Sequence, residues 1–202
     1  MSLICVIDLE TSGLDPSECG VLEMGAVMLD GDLSPVGEWS SLVRVCEWQR
    51  WEADAERVHG VTRAVAMSAD RPAAPAVLAD FLRFVDSHSD GKRVVLAGMN
   101  LAGFDVQFLK EIMARVSPPT MKTLIGFGWR QLISHRTIDM HALAAGVLIA
   151  AGLNIAGCYT DAIYNMVGMA EEPKPHSALT GARMEAEALR LLVALIEKGV
   201  RP

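Results

Sequence analysis

The sequence has no surplus of basic charge. Its 18 lysines and arginines face 25 aspartates and glutamates, for a formal net charge of −7. Proteins that coat long nucleic acids usually carry a basic surface, so the balance argues against a broad phosphate-tracking groove. A small site where metal ions, rather than lysines, meet a phosphate is not excluded. Cysteines are few and scattered. Cys5, Cys19, Cys46 and Cys158 include no close pair, which argues against a zinc site or a disulfide framework and for plain buried thiols. Long apolar runs are missing too: Ala142 to Leu153 falls far short of the ~20 residues that span a bilayer. The apolar stretch within Met1 to Leu9 has no basic segment ahead of it and is broken at Asp8, so no secretion signal is expected. A cytoplasmic protein without membrane association follows as the expectation. Internal repeats and low-complexity linkers are absent as well.

What is present is an ordinary globular balance, 51% hydrophobic and 21% charged, which predicts one domain over residues 1–202 with no long disordered tail. The last two residues and the stretch around Pro118-Pro119 are expected to be the loosest. Leu3 to Leu9 is a short apolar run ending in acids and reads as a buried strand. Val21 to Leu29 and Glu38 to Val45 read as two more, joined across the turn signal Asp30-Gly31-Asp32 in an antiparallel meander. Pro75 to Val85 and Phe104 to Val116 have helical spacing, with the strand Arg93 to Ala97 between them. Arg136 to Asp139 predicts a short fifth strand, and Met140 to Ala151 and Ala178 to Lys198 two further helices. Three strands followed by alternating helix and strand predict an α/β mixed sheet with helices packed against it. Trp39, Trp48 and Trp51 offer either an interface patch or, as is commoner, core packing.

Asp8 and Glu10 end the first strand. Residues two apart on a strand share a face, and two such carboxylates repel unless a cation lies between them. Oxygen ligands of this kind suit Mg²⁺ or Mn²⁺. The turn Thr11 to Pro16 follows, able to bring backbone close to a ligand. Asp105 opens a helix, where an acid is favoured by the helix dipole alone. His176 lies in a loop just before the final helix, a place open to proton transfer. His59 reads as an isolated loop histidine.

Taken in order, five segments resemble one family. They are Asp8-Leu9-Glu10-Thr11-Ser12-Gly13-Leu14, His59-Gly60-Val61-Thr62, Asn100 to Leu109 with Phe104-Asp105, Ile138-Asp139, and His176-Ser177-Ala178-Leu179. Their order and spacing are similar to the DEDDh 3′–5′ exonucleases of the RNase H-like superfamily, the group that includes RNase T, oligoribonuclease and the proofreading subunit of bacterial replicative polymerase. The resemblance runs from Leu3 to about Leu195. It implies an RNase H-like mixed five-stranded sheet with helices on both faces. It also implies a phosphodiester hydrolase that removes nucleotides from single-stranded DNA or RNA 3′ ends, using two Mg²⁺ or Mn²⁺ ions held by four carboxylates. Asp8, Glu10 and Asp105 would be metal ligands and His176 the general base. Thr11 to Leu14 would receive the 3′-terminal nucleotide, Leu14 wedging against its base, with His59 and Asn100 close to substrate. By the same analogy a homodimer or a polymerase-type partner is expected. No motif reports DNA against RNA preference.

The sequence departs from the pattern at the fourth acid. Five residues on from His176 stands Gly181, and its neighbour Thr180 is no acid either. Glu185 lies one helical turn further on the same face, and helical side chains lean towards the N-terminus. It either reaches the vacated place as a metal ligand or is a solvated residue beside Arg183 and Glu187. An active exonuclease is the expected function. The alternative is a weak or inactive homologue kept for binding nucleic-acid ends or a protein partner.

Overall fold

The computed structural model describes residues 3–115, 128–156 and 158–199. The segment around Pro118-Pro119, Val116 and the last two residues lie outside the described residues. Five strands form one sheet: β1 (Ile4–Thr11), β2 (Val21–Leu29), β3 (Pro35–Leu42), β4 (Val94–Gly98) and β5 (Ile133–Asp139), in the order β3-β2-β1-β4-β5. β1 runs antiparallel to β2, and β2 to β3; β4 and β5 run parallel to β1. The mixed five-stranded α/β sheet implied by the resemblance is therefore the observed one.

The described helices are α1 (Ala53–His59), α2 (Arg63–Ala66), α3 (Ala74–Ser89), α4 (Asp105–Arg115), α5 (Gly128–Leu132), α6 (Met140–Ala150), α7 (Thr160–Met166) and α8 (Ala178–Glu197). They cover both faces. Alternate residues of β1 divide between two cores, as the two-residue period of a strand requires. Cys5, Ile7 and Leu9 join Phe81 and Leu82 of α3 and Phe108 and Leu109 of α4. Val6 faces the other way, towards Met140 and Ala144 of α6, Tyr164 of α7 and Ala182, Leu189 and Leu192 of α8. The parity of β1 therefore places Asp8 and Glu10 on the α8 side of the sheet.

That side is built for close approach. A Cβ on Gly25, the β2 partner of Asp8, would overlap the backbone carbonyl of Ala178 at the start of α8. One turn later, a Cβ on Gly181 would overlap Oδ2 of Asp8. Bare glycine at these two positions lets the last helix lie directly on the strand that carries the acids.

Several expectations are corrected. β3 is displaced towards the N-terminus, to Pro35–Leu42 rather than Glu38 to Val45, because Pro35 is tolerated at the first residue of an edge strand and, after a last Val43 N–H bond to the Leu22 carbonyl of β2, Arg44 and Val45 donate to Pro72 and Ala66 instead. His59 is no isolated loop residue: it closes α1, which Gly60 stops in a left-handed conformation (φ 68°). The tryptophans form no common patch. Trp39 packs against Phe81 and Phe84 and Trp51 against His59, leaving Trp48 exposed beneath the Arg115 guanidinium, 4.3 Å from its ring. Of the free thiols, Cys5 and Cys19 are buried, but Cys46 is exposed because it lies in the loop beyond β3. Among the described residues, no helix is long and apolar enough to cross a membrane.

Candidate active site

The acids singled out in the sequence come from separate elements and meet at the carboxyl end of β1. β1 continues beyond the expected Leu9 to Thr11, so Glu10 as well as Asp8 lies within the strand. Glu10 is 8% exposed. Asp105 is the first residue of α4 and 4% exposed, held over the Leu9 backbone. Glu185 reaches in from α8, 5% exposed. Its Oε2 stands 3.4 Å from where a Cβ on Gly98 would lie, at the end of β4. It is thus buried, not a solvated neighbour of Arg183 and Glu187. Asp139 ends β5 and caps α6, accepting hydrogen bonds from the backbone N–H groups of His141 (3.1 Å) and Ala142 (3.3 Å). His176 is in the loop before α8, where its backbone N–H donates to the Val58 carbonyl at 3.1 Å and ties the loop to α1.

Burying so many carboxyls together is electrostatically costly. Among the described residues, no lysine or arginine forms an ion pair with Asp8, Glu10, Asp105 or Glu185. Burial, then the charge of Glu172, raises Asp8 to about 7. Burial, then Asp8, raises Glu10 to about 9. Asp105 and Glu185 are driven well above the ordinary carboxylate range, again by burial first and Asp8 second. His176 is shifted the other way: burial and the nearby Lys174 favour its neutral imidazole.

The structure adds a residue that the sequence reading missed. Glu172 lies in the loop between α7 and α8, and burial raises it to about 7. Its Oε2 is 3.5 Å from Nδ1 of His176. One ligand atom each of Glu10, Glu172 and His176 lie within 4.8 Å of one another. Oε1 of Glu172 and Oε2 of Glu185 are buried with no hydrogen-bond partner. Hard oxygen donors, two of them orphaned, beside one imidazole suit a divalent cation such as Mg²⁺ or Mn²⁺. The only hint in the sequence was a four-residue step from Glu172 to His176.

Beside the acids opens a cleft of about 300 Å³, lined by Glu10, Thr11, Leu14, Val58, His59 and Phe104 among others. Thr11 is buried and donates its hydroxyl to the Gly13 carbonyl (2.8 Å), shaping the turn that leaves Leu14 76% exposed at the rim. His59 accepts from the Val61 N–H at Nδ1 (3.0 Å), while its Nε2 is buried without a partner. Asn100 does not line the cleft itself, but its backbone carbonyl accepts from the N–H of Phe104, which does, at 2.9 Å. Asn100 is exposed in the turn after β4, in a left-handed conformation (φ 51°).

Known proteins share this arrangement of strands and helices. Residues 5–189 match the model of the RNase T family, described as Exonuclease. The chain is 25% identical over 193 residues to the PolC-type DNA polymerase III of Thermotoga maritima, and 26% identical over 194 residues to that of Thermotoga petrophila. These alignments cover 96% of the chain but 12% of each polymerase, so the chain spans about an eighth of the length of the curated relatives it matches. Among solved structures, one of exonuclease I superposes with a TM-score of 0.72 at 17% identity, covering 96% of this chain and 41% of that one. Escherichia coli exonuclease I in complex with a dT13 oligonucleotide gives 0.69 at 16% identity, covering 98% and 43%. A 3′-exonuclease solved for recognition of a histone mRNA stem-loop gives 0.71 at 14% identity, covering 98% and 65%. Sheet order, helix placement and a family match over nearly the whole length lead to one conclusion: the chain belongs to the RNase T exonuclease family, DEDD-type 3′–5′ exonucleases of the RNase H-like superfamily.

Proposed function

We propose that this exonuclease removes nucleotides from the 3′ ends of single-stranded DNA or RNA, in a reaction that requires Mg²⁺ or Mn²⁺. The observation that carries the reading is the set of buried carboxyls from β1, α4 and α8 with no basic partner, beside an imidazole kept neutral. Buried charges persist where they are paired or bind metal. Asp8, Glu10, Asp105 and Glu185 would hold the cations, which when bound supply Lewis acidity to the water and to the leaving 3′ oxygen. His176 accepts the proton of the attacking water at Nε2, its Nδ1 being turned towards Glu172. Thr11, Leu14 and His59, which line the cleft, receive the terminal nucleotide, and Asn100 contacts substrate nearby. The oligonucleotide complex of exonuclease I supports a single-stranded substrate. The likeness to a segment of PolC-type polymerases supports a polymerase-type partner. A homodimer is the other assembly proposed, on family analogy alone.

Gly181, where the family pattern has an acid, favours the second reading, an inactive homologue that binds nucleic-acid ends or a protein partner. One experiment separates the two. The protein is incubated with 3′- and 5′-labelled single-stranded DNA and RNA in Mg²⁺, Mn²⁺ or EDTA, beside Asp8→Ala. Stepwise shortening from the 3′ end, abolished by EDTA and by Asp8→Ala, is the expected result. A folded sample that shortens no substrate under either metal overturns the catalytic reading.

A further inference from the structure

The space that a side chain at position 181 would occupy is already filled. A Cβ there would overlap Asp8 Oδ2 and stand 3.4 Å from Glu172 Oε1. That Glu172 oxygen is buried and makes no hydrogen bond. The other oxygen of the same carboxylate lies 3.5 Å from His176 Nδ1. The nine-tenths-buried Glu185 points a second orphaned oxygen towards Gly98. A buried carboxylate oxygen without a donor costs free energy unless a cation or a proton satisfies it.

We propose that Glu172, entering from the loop rather than from α8, supplies the acid that position 181 does not, so that Glu10 and Glu172 would together hold one cation beside His176. This rests on the reading of the acids as a cation site. The bare backbone of Gly181 then has a purpose. It leaves room for the Asp8 carboxylate, which a Cβ at 181 would overlap, and keeps that position no closer than van der Waals contact to Glu172 Oε1.

Mn²⁺ binding to the full chain, read calorimetrically or by loss of the free-Mn²⁺ EPR signal, tests this without turnover. The parent is compared with Glu172→Gln, Asp8→Ala, Gly181→Asp, and Glu171→Gln, an exposed neighbour. Glu172→Gln should weaken Mn²⁺ binding at least ~tenfold, Glu171→Gln should match the parent, and Gly181→Asp should bind no more tightly than the parent. The metal-free Glu172→Gln protein should melt no lower than the parent, because a buried acid has been made neutral, whereas a purely structural glutamate would show the reverse. Parent-like Mn²⁺ affinity in Glu172→Gln, or tighter binding in Gly181→Asp, overturns the proposal while leaving the cation site standing. A folded parent that binds no Mn²⁺ overturns both.

Discussion

Leu14 is 76% exposed, so it contributes little to the core. Leu14→Ala should melt within about 0.5 kcal/mol of the parent yet raise KM for an oligonucleotide roughly fivefold, equivalent to the ~1 kcal/mol low end of a base contact. A shifted melting curve with unchanged KM would mean that the side chain packs rather than binds. His176 is argued on different grounds. Its imidazole is held neutral and close to the acids, so His176→Ala should lower kcat by ~10²–10⁴ with KM far less affected. Steady-state kinetics on a labelled oligomer separate the two parameters. These two residues stood out in the sequence because each sits beside an element boundary with a recognisable neighbourhood. Glu172 did not. It lies in the stretch Glu171-Glu172-Pro173-Lys174-Pro175, which has no periodicity, and only the path of the folded loop brings it to His176.

At the scale of elements, α8 sits on the sheet by virtue of what Gly25 and Gly181 lack. Gly25→Ala would drive a methyl group into the Ala178 carbonyl. It should cost ~1–3 kcal/mol, read as a lower urea midpoint at unchanged slope, and it should weaken Mn²⁺ binding because Glu185 rides on the displaced helix. Gly146 of α6 provides the contrast. A Cβ there meets nothing within 4 Å, so Gly146→Ala should stabilise by about 0.5–1 kcal/mol through helix propensity alone. Elements with a strong period were legible in the sequence: β2 has the expected bounds, and α3, α4, α6 and α8 fall within a few residues of theirs. The short helices α1, α2, α5 and α7 were not, since a single turn or two with at most two buried residues gives no repeating apolar stripe. The displacement of β3 has a similar origin. The alternation of its residues continues into Val43 and Val45, and only the turn of the chain away from β2 ends the strand.

For the whole molecule, the buried acids set a pH dependence. Without cations, Glu10 lies at about 9 and Asp8 and Glu172 at about 7, all raised primarily by burial. The unfolded chain releases the same protons near pH ~4. Between those limits the folded state holds more protons than the unfolded one, so stability falls as pH rises. The metal-free protein should therefore melt at a lower temperature at about pH 8.5 than at about pH 5.5. Mn²⁺ should raise the melting temperature more at the higher pH, where fewer protons compete for the carboxylates. A metal-free melting temperature that climbs over that range would contradict the burial of these groups. The scatter of the acids along the chain has a further consequence during synthesis. Asp8 and Glu10 leave the ribosome with the first strand, whereas Glu172 and Glu185 arrive with the final loop and helix, after every other described element. A nascent chain therefore cannot bring its acids together until α8 has emerged and docked, and until then Asp8 and Glu10 wait on the first strand without the partners that complete the cluster.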